Sequence, residues 1–247
     1  MACDKPIARR RHLCERSRRY GRNQGRAMQE QVVKPTSIAG MQVLFVMAID
    51  HEYGPHLSAR MTPLMTGVGP VEAAIAATAC LQRLEASGQL PDLVVTLGSA
   101  GSRRCRMGEV YQVESVSWRD MDASRLGFAR GVTPFADHPA VLQLPMLLPD
   151  LPRASLSTGG DVIGGEDYAR IDADLVDMET YAVLRACQRF GVPMIGLRGV
   201  SDGADELEGM SGWTELLALL DERLAIALDK LAEVLERGLA DSLTANA

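Results

Sequence analysis

Leu175-Val-Asp-Met-Glu-Thr-Tyr-Ala-Val183, followed within two dozen residues by Leu197-Arg-Gly-Val-Ser-Asp202, decides how the rest of the chain reads. The first run passes from a short apolar strand into a helix from Glu179 to Phe190, which Gly191 and Pro193 close. The second ends a strand, Met194 to Val200, on a Ser-Asp pair. Working back toward the N-terminus, Met41-Gln-Val-Leu-Phe-Val-Met-Ala48 is an apolar run of the kind found in strands covered on both faces. Gly67-Val-Gly69 precedes Pro70 and an Ala-rich helix to about Leu84, with Pro suited to the first turn. Leu93-Val-Val-Thr-Leu97 reads as a strand ending at Gly98-Ser-Ala-Gly101, and Glu109 to Val116 as another. This alternation predicts an α/β fold.

The same alternation sets the organisation. Residues 119–153 are rich in Pro, Gly and Asp and read as a long excursion, a candidate wall or subunit contact. Ala154-Ser-Leu-Ser157 leads into Thr158-Gly-Gly-Asp161. The last helix, about Trp213 to Arg237, carries leucines at spacings of three and four that fit packing on a sheet better than a coiled-coil seam. The expected division is a basic extension over residues 1–40, one domain over 41–237 and a tail over 238–247.

Charge and cysteine usage narrow the class. The chain has 247 residues and a formal net charge of −6, yet residues 1–28 hold nine Lys/Arg against Asp4 and Glu15. The head is thus +7 and the remainder −13, an acidic body unsuited to nucleic acid. The head reads as a disordered extension or as sequence upstream of a start at Met28 or Met41. Five cysteines without a Cys-x-x-Cys pair argue against disulfide frameworks and zinc sites and fit a reducing cytoplasm. No apolar run reaches the ~18–20 residues of a membrane span.

Polar and small residues gather at strand ends: Gly-Val-Gly, Gly-Ser-Ala-Gly, Thr-Gly-Gly-Asp and Ser-Asp. In open α/β sheets, ligands bind there. Three carboxylates stand at such ends. Asp202 follows a buried strand, where desolvation would raise its pKa toward that of a general acid, with Ser201 to orient it; the competing reading is an Asp capping a turn. Glu179 either stabilises a developing cation or sits at a helix start for the dipole alone. Glu52, in Ala48-Ile-Asp-His-Glu52, either activates water or belongs to a solvated turn. Arg198, four residues before Asp202, is expected on the same strand face, paired with a site carboxylate or in a structural ion pair. Cleavage of a purine–ribose bond requires an acid at the base, a carboxylate under the sugar, and either water with a base or phosphate as nucleophile.

Taken together, these segments resemble the 5′-methylthioadenosine/S-adenosylhomocysteine nucleosidases of the purine nucleoside phosphorylase superfamily. The resemblance runs over about residues 41–237 and is carried by Val176-Asp-Met-Glu-Thr-Tyr-Ala-Val183 and Gly191 to Asp205. Gly67 to Ala74 and Leu97-Gly-Ser-Ala-Gly101 support it. It implies a three-layer α/β sandwich around a central mixed, partly closed β-sheet and a homodimer without cofactor or metal. It also implies release of adenine with water as nucleophile, in methionine salvage. By resemblance Asp202 protonates the purine and Glu52 activates the water. Glu179 and Met178 hold the ribose, Arg198 and Ser99 lie near the water, and Ser201 supports Asp202. Ala100, Gly101, Val162 and Ile163 would line the base site. Trp213 would close the 5′ pocket, which Leu126 and Phe128 would line, across a dimer. Two departures stand out: Ile-Asp-His-Glu replaces the usual acidic triplet, and Gly160-Asp-Val-Ile-Gly164 lacks the aromatic that stacks on adenine. Other readings that the sequence leaves open are a phosphorylase, a nucleosidase for another purine nucleoside, and a non-catalytic nucleoside-binding homologue.

Overall fold

A computed structural model describes residues 33–203 and 216–238. Its elements in order are β1 (Thr36–Ile38), β2 (Met41–Met47), α1 (Pro55–Ser58), β3 (Leu64–Met65), α2 (Pro70–Ala86), β4 (Leu93–Gly101), β5 (Val110–Trp118), β6 (Val141–Gln143), β7 (Arg153–Thr158), β8 (Leu175–Asp177), α3 (Thr180–Arg189), β9 (Met194–Asp202) and α4 (Leu217–Glu236). The strands form one mixed sheet. Within it β4 pairs β9, β9 pairs β5, β5 pairs β7, β7 pairs β8, and β8 returns to β4 through the single pair Gly101 with Val176. That return makes the sheet partly closed, as expected.

Strand alternation sorts the apolar side chains into two cores. Leu44, Val46, Val94 and Met194 face α2 and α3, while Val43, Phe45, Met47, Val95, Leu97, Ile195 and Leu197 face α4 and Leu57 of α1. These are the three layers of the expected sandwich. On α4, Leu224, Leu228, Leu231 and Leu235 pack on the sheet, the seating expected of that stripe.

Three expectations about the chain's organisation need correction. The sheet starts before residue 41: β1 turns back through Ala39 and Gly40 to pair antiparallel with β2, and Val33 is already buried. The excursion after β5 re-enters the sheet, since β6 pairs antiparallel with the end of β5. A register shift where β9 passes β4 sets Val200 beside Ala100 but Asp202 beside Gly101, leaving Ser201 as an extra residue. Such a bulge breaks simple alternation, so Arg198 and Asp202 do not share a face by that rule.

One buried carboxylate ties the last helix to the first turn of the site. Asp221 of α4 accepts backbone N–H bonds from Gly54 (3.0 Å), His56 (2.8 Å) and Leu57 (3.0 Å), the donors left open at the start of α1. Gly54 has no room for a side chain, because a Cβ there would lie 2.5 Å from Asp221 Oδ2. Asp221→Ala leaves three donors unpaired, and we expect it to lower stability by about 3 kcal/mol. Urea denaturation checks this; a loss below about 1 kcal/mol would contradict it.

Candidate active site

The three carboxylates stand where elements begin or end. Glu52 lies on a short 3-10 turn after β2, Glu179 caps α3 after β8, and Asp202 ends β9. Glu52 is 8% exposed. Its Oε1 accepts the Ser99 backbone N–H at 2.8 Å and the Ser99 hydroxyl at 2.5 Å. Among the described residues its buried Oε2 has no hydrogen-bond partner. Gly98 makes room for it, since a Cβ there would sit 3.1 Å from Oε2 and 3.6 Å from Arg198 Nη1. Glu52, Ser99, Arg198, Glu179 and Thr66 line a cavity of about 10 Å³. That is close to the volume one water needs.

Arg198 is 2% exposed and pairs with Asp177 at 3.0 Å. It also donates to Thr180 Oγ1 (2.7 Å) and Thr96 Oγ1 (3.1 Å). Asp177 in turn accepts from the hydroxyls of Thr158 and Thr180 and from the Thr180 backbone N–H. A buried guanidinium thus has a fully engaged carboxylate partner. Sequence reasoning had not assigned Asp177 a role. The argument used for Arg198 applies to it equally, because an Asp in an apolar strand needs a cation.

With Asp177 taking that cation, Glu52 and Glu179 share what remains of its field. Burial pushes Glu52 above the ordinary glutamate value, and Asp177 adds to that; the Ser99 bonds and Arg198 pull it back. Glu179 is pushed up to about 8, first by burial and then by the charge on Asp177. It makes no side-chain cap on its own helix and instead accepts the Gly69 N–H at 2.8 Å, just ahead of α2. The positive φ of Gly69 (99°) turns that N–H. The expected dipole stabilisation is therefore outweighed by burial.

Asp202 is 9% exposed, and its Oδ1 accepts the Ser201 hydroxyl at 2.6 Å. Burial raises its pKa, and the Ser201 and Tyr168 hydroxyls pull it back. Gly98 and Gly101, which border Glu52 and Asp202 respectively, are three residues apart on β4, about 10 Å at the rise of a strand. Ala100 is buried between them in the core beneath.

The remaining expected residues divide. Met178 is partly buried beside Glu179. Ile163 packs with Tyr168, Ile171 and Val176, whereas Val162 is exposed. Leu126 is exposed, and Phe128 meets Phe135 edge to face with ring centroids 5.7 Å apart; neither lines the cavity at Glu52. Trp213 lies outside the described residues. Two contributors were missed, Tyr168 and Arg119. Arg119 donates to the carbonyls of Ser157 (2.6 Å), Asp177 (2.9 Å) and Asp161 (2.5 Å), stitching the ends of β7 and β8 to the loop that follows β7. An Arg just past a strand end carried no signal of this.

The raised glutamate has a consequence for stability. A carboxyl whose folded pKa exceeds its unfolded value stabilises fully below the unfolded value and loses that contribution as pH rises through the folded one. For Glu179 the window runs from about 4.5 to about 8. Wild-type urea midpoints should fall across this range more steeply than those of Glu179→Gln. Parallel curves would contradict the burial argument.

Known proteins with the same features can now be compared. The model of the phosphorylase superfamily matches residues 162–240. A 5′-methylthioadenosine/S-adenosylhomocysteine nucleosidase from Actinobacillus succinogenes is 31% identical, the match covering 69% of this chain and 80% of that protein. The Colwellia psychrerythraea 5′-methylthioadenosine/S-adenosylhomocysteine nucleosidase, solved with adenine, superposes with a TM-score of 0.66 at 20% identity over 82% of this chain and 98% of its own. The Helicobacter pylori futalosine hydrolase gives 0.65 at 20% identity over 77% and 97%. These two structures share the fold. By the extent and identity of the sequence match, the chain belongs to the 5′-methylthioadenosine/S-adenosylhomocysteine nucleosidase family.

Proposed function

We propose that this chain is an N-glycosyl hydrolase that cleaves 5′-methylthioadenosine, S-adenosylhomocysteine or both, releasing adenine. The observation that carries the reading is Glu52: a buried carboxylate, anchored at one oxygen by Ser99, whose other oxygen borders a cavity of water size beside Glu179 and Arg198. A general base works best with a pKa drawn toward the operating pH, and burial supplies that direction.

In this scheme water attacks the anomeric carbon and passes a proton to Glu52. The C–N bond breaks as Asp202 protonates the departing base, which leaves neutral. Burial draws the Asp202 pKa upward, the direction a proton donor needs. Glu179 and Met178 hold the ribose, and Arg198 with Ser99 keeps the water side in order. Ala100, Gly101, Val162 and Ile163 border the base. Leu126 and Phe128 serve the 5′ pocket of a partner subunit. A homodimer is supported by the exposed apolar run Val68, Val71 and Ile75 along the start of α2. Placement in the cytoplasm is supported by the free Cys80, Cys105 and Cys187, and a part in methionine salvage follows from the proposed substrates. No described helix is long and apolar enough to cross a membrane.

The test is a panel of purine nucleosides in phosphate-free buffer, with free base and free sugar measured by chromatography. Release of both from 5′-thio-substituted adenosines is expected; turnover that requires phosphate would make the chain a phosphorylase. Asp202→Asn and Glu52→Gln should each lower kcat by about 10²–10⁴-fold while remaining folded. Near-normal turnover in either would remove that residue from the scheme.

A further inference from the structure

Tyr168 belongs to the short helical turn Gly165–Arg170, and its ring is buried among Ile163, Ile171 and Val176 at 2% exposure. A phenylalanine would fill that space without desolvating a hydroxyl, so the hydroxyl calls for a partner. A carboxyl group stands beside it at the end of β4. The Cβ that Gly101 lacks would touch both Tyr168 Oη and Asp202 Oδ2, the latter at 2.6 Å. The buried hydroxyl has no hydrogen-bond partner among the described residues, and Asp202 is the carboxyl group that acts on it. On the opposite side of the same carboxyl group, Ser201 holds Oδ1.

We propose that Tyr168 is a positioning residue for Asp202, its hydroxyl holding the Oδ2 side of the carboxyl group while Ser201 holds Oδ1, so that the acid is fixed in one orientation against Gly101. The proposal rests on the reading of Asp202 as the acid. Burial and the charge on Asp202 push the phenol upward, so Tyr168 stays protonated and donates. Donation favours the carboxylate and offsets part of the rise that burial imposes. The groups that face the pair from packed elements are the Ser201 hydroxyl on β9 and Arg119, beyond β5, whose charge acts on the phenol. Gly101 is required by the same contact, since any side chain there would part the two groups.

The test is Tyr168→Phe, which keeps the ring. The Asp202 carboxyl carbon is followed by NMR titration, its signal identified by its absence in Asp202→Asn. Loss of one net hydrogen bond should move the Asp202 titration upward by about 0.5–1 pH unit. The basic limb of kcat/KM should move with it, and kcat should fall by a larger factor than KM rises. A fluorinated tyrosine placed at position 168, a stronger donor of the same shape, should move the titration downward, and it keeps the test open should Tyr168→Phe fail to fold. An Asp202 titration unmoved in a folded variant overturns the proposal. The NMR arm needs no substrate. A chain that released no base would sink the proposed function and leave this result readable.

Discussion

One backbone pair, Gly101 against Val176, holds the arrangement together. It closes the run of β4, β9, β5, β7 and β8 into a ring, and so brings the chain leaving β8 to the place where β4 and β9 end. Asp177, Met178 and Glu179 follow Val176 directly, while Asp202 stands beside Gly101 in register. Without that closure these residues would end strands on different parts of an open sheet. The pair tolerates no bulk: Val176, Tyr168 and Asp202 already occupy the space a side chain at Gly101 would need. The absence of a Cβ at Gly101 is thus as much a part of the site as the carboxylates.

Electrostatics follows from the same convergence. Asp177, Glu52 and Glu179 act on one another around a single buried guanidinium, Arg198. Because Asp177 holds that cation directly, the other two are left to burial, and both shift upward. A carboxyl group in that condition gives up its proton less readily than an exposed one. Asp202 reaches a similar condition by a separate route, burial offset by two hydroxyls rather than by a cation.

Much of the fold was legible because strand periodicity is written locally. The apolar runs Met41 to Met47 and Leu93 to Leu97 read as strands, and in the structure their buried apolar residues divide between two cores. Glycine-rich strand ends likewise lie beside the buried carboxylates, Gly98 at Glu52 and Gly101 at Asp202. What could not be read depends on partners distant in sequence. The extra residue at Ser201 is set by how β9 meets β4, and it overrode the simple rule that paired Arg198 with Asp202. Tyr168 was silent because a lone aromatic in a loop does not announce what its hydroxyl will touch. Asp177 was visible in the same motif as Glu179, yet its importance emerges only once Arg198 is seen to have no closer anion.

The bond between Asp221 and the turn after Glu52 spans 164 to 167 positions of chain. During synthesis, the segment bearing the proposed base therefore waits for the final helix before it is clamped. Nascent chains that stop short of α4 would possess most of the sheet and lack the clamp on the turn after Glu52. Assembly of the reactive centre is in this sense a late event, coupled to completion of the domain rather than to formation of its first strands.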